Sequence, residues 1–548
     1  MPIHTFARGI IEGIRRVPPY LFILGAILVL GIFLRTYEFR DWMAFNPDQA
    51  RDAQIMEDVL SGKREMPLLG PQSGNTKFSL GPIFYYFGII SGKIFGALPE
   101  VFAYPDVLFS ILSLPLFFFF LRKYFSLRIS LLLVLLLAVS YFALRYGRFA
   151  WNTNSIPFFS ILFLYGALGM MNEKNRNALR WPVFVGIGLG ILIQLHTVLL
   201  LTLPLISFLV LIYLWNKKLL RLKSLALIFG IVMLLNSGQI MSEIQTGGAN
   251  TSALFGGVSD QSGSDANRVR NTLFISACQI QSNIHILSSL FMGERCGRGS
   301  FFSQSDFLQN TSLRDQFLAD TVAVTQVCLS ILFSIGGYIL LIRKIRTEKD
   351  EEKRKFLSLI FIFNILVLLV LIPVASEITI RYFIMLLIVP FVLLGLWMEW
   401  IEEKIRYGKM ITTSLVIVLV GWNMYTNLTT ARTLMSHSAN NADNGVLREI
   451  ETLADFLLSI ERPSRTLYMT GNAKYEKRYH QPLEYIVEKQ GLRLAEIRKK
   501  TRIPSGATIV YITGKDKKQL TIGEEIDDAL VLSRHDFNDV VIYILREF

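Results

Sequence analysis

Residues 81–98 read GPIFYYFGIISGKIFGAL, and whether this stretch crosses a membrane decides the topology of the whole chain. It is apolar, yet it carries Lys93, a Tyr-Tyr pair and five glycines or serines, the mixture of an interfacial helix. Eleven other apolar segments surround it, near 20–36, 104–121, 128–144, 155–171, 182–196, 197–215, 222–241, 321–343, 356–374, 381–399 and 410–427. Runs of this length match ~30 Å of hydrocarbon, and without strand-like alternation they favour helices over a barrel.

Basic residues supply the orientation. Clusters stand at Arg8/Arg15/Arg16, Arg122/Lys123/Arg128, Lys174/Arg176/Arg180, Lys217/Lys218/Arg221/Lys223, Arg343/Lys344/Arg346 and Lys404/Arg406. All should face the cytoplasm. If all twelve segments crossed, every cluster after the first would fall outside; if 81–98 does not cross, each falls inside. The chain therefore reads as a polytopic α-helical membrane protein of about eleven spans, in residues 1–430, with its amino terminus cytoplasmic and interfacial helices in a first outer loop, 37–103. The first span reads as retained, since no small-residue cleavage site follows it. The net charge of +13 is used up in these loops, so nucleic acid is not an expected partner.

Beyond about residue 440 the long apolar runs stop. Residues 440–548 read as a small extracytoplasmic α/β domain, with helices near 446–460 and 481–490 and strands at 466–470, 508–513 and 540–545. A second outer segment, 242–320, is rich in Gly, Ser and Asn. Gly247-Gly248 and Gly256-Gly257 predict a mobile loop, with a lid or a solvated segment as the two alternatives. Cys278 and Cys296 share that loop, and a bridge between them is left open.

The first outer loop holds the polar residues that suggest chemistry. Asn46-Pro47-Asp48-Gln49 has the grammar of a helix start: a capping Asn, Pro at the first position and Gln three residues on. The helix should run to Ser61-Gly62, with Asp48, Arg51 and Asp52 sharing a face. Asp48 would lie in the first turn, where the helix dipole favours an anion. The plain alternative is a good first-turn Asp beside a solvated ion pair.

Asn46 through Asp52, followed by Leu69-Gly70-Pro71 and Leu80-Gly81-Pro82-Ile83-Phe84-Tyr85-Tyr86, resembles the GT-C superfamily of glycosyltransferases. The resemblance is to the bacterial protein-mannosyltransferase and aminoarabinose-transferase-like group called family 39. It implies a catalytic acid in the first outer loop, a sugar donor carried on a polyprenyl phosphate such as undecaprenyl phosphate, and an eleven-span layout. The chain departs from the group at Gln49, where a Glu is common, at Lys77-Phe78-Ser79, where Lys-Pro-Pro is common, and at Tyr104-Pro105-Asp106, where an Arg is common.

A phosphate leaves readily once its charge is met, so one carboxylate base and a set of cations suffice for a single inverting displacement; glycosidases, which expel an alkoxide, need two carboxyl groups. Asp48 is the expected base and Asp52 its companion in the catalytic pair, orienting acceptor or arginine. Arg51, Lys77, Tyr85, Arg145, Arg148, His196, Arg381 and Tyr382 are the expected substrate-binding residues. Each has a plainer rival: headgroup anchoring for Lys77, Arg145 and Arg148, a satisfied turn for His196, an ion pair with Glu377 for Arg381. No cofactor and no metal site are expected, because His, Cys and acidic residues show no ligand spacing. The expected partners are the polyprenyl-phosphate-linked sugar, membrane lipids and an acceptor that the sequence leaves open among protein, lipid and glycan. The competing function is a transporter or lipid-linked sugar flippase, which should place ionisable residues at the midplane of its spans.

Overall fold

The structure, a computed structural model, describes residues 18–74, 76–175, 177–264, 268–289, 296, 313–435, 445–461, 464–497, 503–526, 529–537 and 540–547. It is a helical bundle with a small sheet at its carboxy-terminal end. Among the described residues six helices are long and apolar enough to cross a bilayer: Pro19–Thr36, Val101–Leu121, Thr197–Asn216, Val324–Thr347, Glu351–Ala375 and Gly408–Met435. Counting each of two bent pairs, Leu222–Leu235 with Ser237–Thr246 and Ile380–Leu386 with Ile388–Lys404, as one span brings the number to eight.

Three expected spans form helices shorter than the 18 residues a straight crossing takes. They form the helices Leu127–Val139, Ile156–Met170 and Arg180–Leu195, of 13, 15 and 16 residues. Polar residues cut them: Ser140 ends the first and caps a new turn, and His196 separates Arg180–Leu195 from the next helix. The doubtful segment 81–98 is a helix of 13 residues, Ile83–Phe95, with Ile90, Ile94 and Phe95 exposed.

Packing explains the aromatic runs and the close helix approaches. In Phe117–Phe120 three rings are fully buried and only Phe119 faces outward. At Gly31 an added methyl would collide with Leu114, and at Gly169 with Trp181.

The charged residues sort into two separate ends. Arg128 pairs with Glu402, Lys344 with Glu403 at 3.1 Å and Lys353 with Glu399 at 2.6 Å. Asn172 bonds Glu352 and Arg221 bonds Asn177. Every described basic cluster assigned to one side of the membrane thus meets at one end of the bundle. At the opposite end Arg148 bonds the Leu34 and Tyr37 carbonyls, Asp106 accepts from the Trp151 amide, and Asn152 reaches the Leu195 carbonyl.

Within the segment 242–320 the described residues are largely helical. Its described part forms helices Ala249–Ser264 and Arg268–Ser288, with Gly247 and Gly248 at positive φ in the turn before them. The Arg268–Ser288 helix is buried through Gln279, Ser282, Asn283 and His285 despite its polarity. Gln279 and Asn283 bond each other, Tyr338 and Ser334, which is how a polar helix survives inside a bundle. Cys278 and Cys296 are free thiols within hydrogen-bonding reach of one another.

The tail sheet has the order β2-β1-β3-β6-β5-β4 over β1 (Thr466–Gly471), β2 (Arg493–Glu496), β3 (Thr508–Gly514), β4 (Glu525–Ile526), β5 (Ala529–Asp536) and β6 (Val540–Glu547). β1 is parallel to β2 and β3, while β6 is antiparallel to β3 and β5. The expected helix at 481–490 starts earlier, at Ala473, where Asn472 caps it. The outer strands β2, β4 and β5 were not legible, being short or, in Ser533–Asp536, polar.

Candidate active site

The helix expected after Asn46 runs Pro47–Leu60, with both halves of the capping box formed. Its apolar face, Ala50, Ala53 and Met56, is buried. It lies on the Ile83–Phe95 helix, where Gly88 against Met56 and Gly92 against Leu60 leave no room for a Cβ. Gln49 explains why an amide stands beside Asp48. Its Oε1 accepts from the Asn46 amide at 3.2 Å, and its Nε2 donates to the Ala150 carbonyl at 3.1 Å. A glutamate could supply only the first. Gln49→Glu should therefore cost ~1–3 kcal/mol of stability, measured as a lowered melting temperature of the purified protein, by leaving a buried carbonyl unpaired.

Arg51 bridges the two carboxylates. Its Nη1 lies 2.9 Å from Asp48 Oδ1, and its Nε and Nη2 both lie 2.9 Å from Asp52 Oδ1. The two acids differ in setting: the side chain of Asp48 is 60% exposed and that of Asp52 only 1%. Asp52 Oδ1 also accepts from the buried Tyr85 hydroxyl at 2.9 Å. Asp52 is placed to orient Arg51, one of the two roles expected of it, and Tyr85 is buried against Asp52, whereas Asp48 is the exposed carboxylate of the pair.

Burial pushes Asp52 up from 3.8 to about 6, with Arg51 and Tyr85 opposing it. A proton taken up near pH 6 would weaken the grip on Arg51. Any activity that relies on Arg51 to position Asp48 should accordingly fall as pH drops through about 6. Stability should move the other way, since a raised carboxyl pKa favours the folded state at low pH, and that contribution is lost as pH rises through the folded value. A pH–rate profile in which Asp52→Asn retains the same acid limb would refute this assignment.

A chain of contacts links the Pro47–Leu60 helix to four other segments. Gln49 touches Ala150, and the next residue, Trp151, stacks under the Arg381 guanidinium at 5.5 Å. Tyr382 lies edge-on to His196, ring centroids 5.6 Å apart. Thr197 meets Ser73 at 2.6 Å. Ser73 belongs to a tight turn in which Gln72 pairs with Ser79 and the Ser73 amide bonds the Phe78 carbonyl, which lifts Lys77 to an exposed tip. Asn250 clasps that turn by bonding both the amide and the carbonyl of Ser79.

Arg381 keeps a buried Nε that no described residue satisfies. The side chain of Glu377, its expected rival partner, lies outside the described ones. His196 accepts from the Val198 amide through Nδ1 at 3.1 Å, which leaves the proton on Nε2. Burial first, then the charge of Arg381, draws its imidazole down to about 4, so it is neutral at pH 7. A small cavity is lined in part by Arg35, Ser110, Tyr146, Asn154 and Leu387.

Arg148 departs from its expected role as a phosphate ligand. Its two Nη atoms bond the Leu34 and Tyr37 carbonyls at 2.7 and 2.6 Å, closing the end of the first long helix, where a cation also suits the helix dipole. Arg145 ends the short Tyr141–Arg145 helix over the Tyr146 ring, and its charge is felt by His285. Several residues that join these segments carry no signal in the sequence. Trp151 and Asn152 lacked a pattern, Asp106 was noted only as a departure, and Gln194, which bonds the Ile83 amide and the Gly190 and Leu235 carbonyls, looked like an ordinary helix residue. Among the described residues no group of three His, Cys, Asp or Glu side chains is placed to hold a metal ion.

Comparison with known proteins adds an independent line. The dolichyl-phosphate-mannose-protein mannosyltransferase family matches residues 79–239. ArnT from Cupriavidus metallidurans, in a structure bound to undecaprenyl phosphate, superposes with a TM-score of 0.51 at 11% identity, covering 96% of this chain and 97% of that one. The apo form of the same enzyme gives 0.42 at 11% identity over 96% and 97%. The Pmt1-Pmt2 protein O-mannosyltransferase complex of S. cerevisiae, bound to the sugar donor, gives 0.31 at 15% identity over 41% and 32%. No curated protein matches by sequence. By the family match over 79–239 and the ArnT fold over nearly the whole chain, the protein resembles the family 39-like glycosyltransferases of the GT-C superfamily.

Proposed function

We propose that this protein transfers a sugar from a polyprenyl-phosphate donor to an acceptor at the outer face of the cytoplasmic membrane, with inversion at the anomeric carbon. The observation that carries this reading is one exposed carboxylate, Asp48, on a helix that a chain of contacts links to the segments bearing Lys77, His196 and Arg381, whose buried Nε has no partner among the described residues. Support also comes from the family match and from ArnT, whose structure contains undecaprenyl phosphate.

Asp48 takes the acceptor's proton as the acceptor oxygen or nitrogen attacks the anomeric carbon. The bond from that carbon to the phosphate oxygen breaks on the opposite side. The electron pair leaves with the polyprenyl phosphate, whose added charge is met by Arg381, Lys77 and the Nε2 proton of His196. Arg51 fixes Asp48 and is itself fixed by Asp52. One inverting displacement needs no second exposed carboxyl group. The eleven-crossing topology belongs to the same proposal. It places these segments and the tail outside and the basic clusters inside, where the positive-inside tendency puts them.

Transporters carry ionisable residues at the midplane of their spans. Here the buried Arg35 and Asp106 sit at helix ends: Arg35 donates to Ser110, Gly31 and Ala138 and keeps an Nη2 without a partner among the described residues, and Asp106 accepts from the Trp151 amide. The test is to incubate purified protein with a panel of polyprenyl-phosphate sugars and candidate acceptors after exhaustive chelation. Release of polyprenyl phosphate coupled to glycosylated product supports the reading. Strict dependence on added divalent ions, or movement of intact donor across vesicles without release, would overturn it.

A further inference from the structure

The Pro47–Leu60 helix is held between two bodies. One face lies on the Ile83–Phe95 helix, and another is covered by the Ala473–Glu488 helix of the tail. Backbone bonds join tail and loop just before the helix begins: the Phe45 amide donates to the Gly445 carbonyl at 2.9 Å, and the Leu447 amide to Met43 at 2.8 Å, with Ala44 and Val446 paired as in a short antiparallel ladder. Arg40 adds a bond to Glu451 at 2.5 Å and another to Glu100 at 3.3 Å.

The second clasp lies in the third turn of the helix. Glu57 Oε2 accepts from the Tyr485 hydroxyl at 2.7 Å and pairs with Lys489 Nζ at 2.6 Å. Lys489 also donates to the Tyr485 hydroxyl at 2.8 Å and stands 4.1 Å from its ring centre, while that ring packs on Phe45 at 5.6 Å. Phe45 precedes the cap and Glu57 lies eleven residues beyond it, so a single tail residue, Tyr485, touches the chain on both sides of Asp48. A helix of 14 residues is marginal in water by itself, so its orientation depends on what grips it.

We infer that the tail domain is a brace for this helix, and that Glu57, Tyr485 and Lys489 are positioning residues that fix where Asp48 points. The inference rests on Asp48 being the base of the proposed transfer. Misplacement of a reacting group by ~1 Å costs up to ~10²-fold in rate without weakening binding elsewhere. Loosening the brace should therefore lower kcat while the donor, held by the cations of the other segments, keeps its KM.

The experiment uses the full-length protein in detergent or nanodiscs, as wild type, Lys489→Ala, Lys489→Arg, Tyr485→Phe and the reversed pair Glu57→Lys with Lys489→Glu. Hydrogen exchange of the amides in 50–58 should rise in Lys489→Ala and stay near wild type in Lys489→Arg. In steady-state kinetics Lys489→Ala should lose about tenfold in kcat with donor KM unchanged, and the reversed pair should recover most of it. Unchanged exchange over 50–58 in Lys489→Ala, or a rise in KM with kcat kept, would overturn the brace. If wild type transfers no sugar from any donor, the proposed function fails, and the exchange measurement still decides the brace.

Discussion

Replacing Asp48 by asparagine should abolish measurable transfer, a loss of about 10²–10⁴-fold in kcat, while the protein remains folded and still binds its donor. The substitution keeps the shape of the side chain and a good first-turn residue, but removes the basic oxygen pair. Its structural cost is small, because the Asp48–Arg51 pair is exposed, and such pairs contribute ~0.2–1 kcal/mol at most. Arg51 remains tied to Asp52 through Nε and Nη2. The measurement is polyprenyl phosphate release by wild type and variant at equal donor occupancy, with melting temperatures compared. Equal release would remove Asp48 from the mechanism, and a collapse in melting temperature would turn the effect into one of folding.

The second large effect is expected at Arg381. Alanine there should lower kcat by about 10²–10³-fold, since a preorganised cation facing the departing phosphate acts mainly where charge develops. Lysine should restore part of this and no more, because a point charge replaces a planar guanidinium stacked on Trp151 and Tyr382. His196 provides an internal control. With Arg381 gone, the second cause of its lowered pKa disappears while burial remains, so the imidazole should shift upward and stay mostly neutral at pH 7. Transfer rates of Arg381→Ala and Arg381→Lys within threefold of wild type would sink this role.

Parts of the site were legible because local rules govern them. A capping Asn, a first-position Pro and a Gln three residues on specify a helix start through bonds made within one turn, and the Ser61-Gly62 stop is equally local, with Gly62 at φ +76°. The spacing of Asp48, Arg51 and Asp52 then determined that one arginine would reach both acids. What spacing left open was which acid would be buried. That depended on Tyr85 and on the glycines at 88 and 92, which let a second helix close over Asp52 but not over Asp48.

Arg148 and Lys77 show the same limit from opposite sides. Both are cations in polar segments between helices, and sequence reasoning counts both among the phosphate ligands. One end of the first long helix happens to present its carbonyls to Arg148, and those bonds consume it, whereas the Gln72–Ser79 turn holds Lys77 in the open. The described helical part of 242–320 shows a related limit. Its polarity argued for solvent, but Gln279 and Asn283 find partners on another helix, and a polar residue whose bonds are met inside is no longer a sign of exposure.

Sequence alone determined the class of this protein, its run of apolar helices, the common side of its basic clusters and the helix that carries Asp48, because hydrocarbon thickness, backbone hydrogen bonding and helix capping act over a few neighbouring residues. Tertiary structure decided how Ala150, Arg381, His196 and Ser73 are linked to that helix, and that the tail's Tyr485 and Lys489 grip its Glu57. These contacts join residues 100 to 430 positions apart, and only packing can select which distant side chains meet.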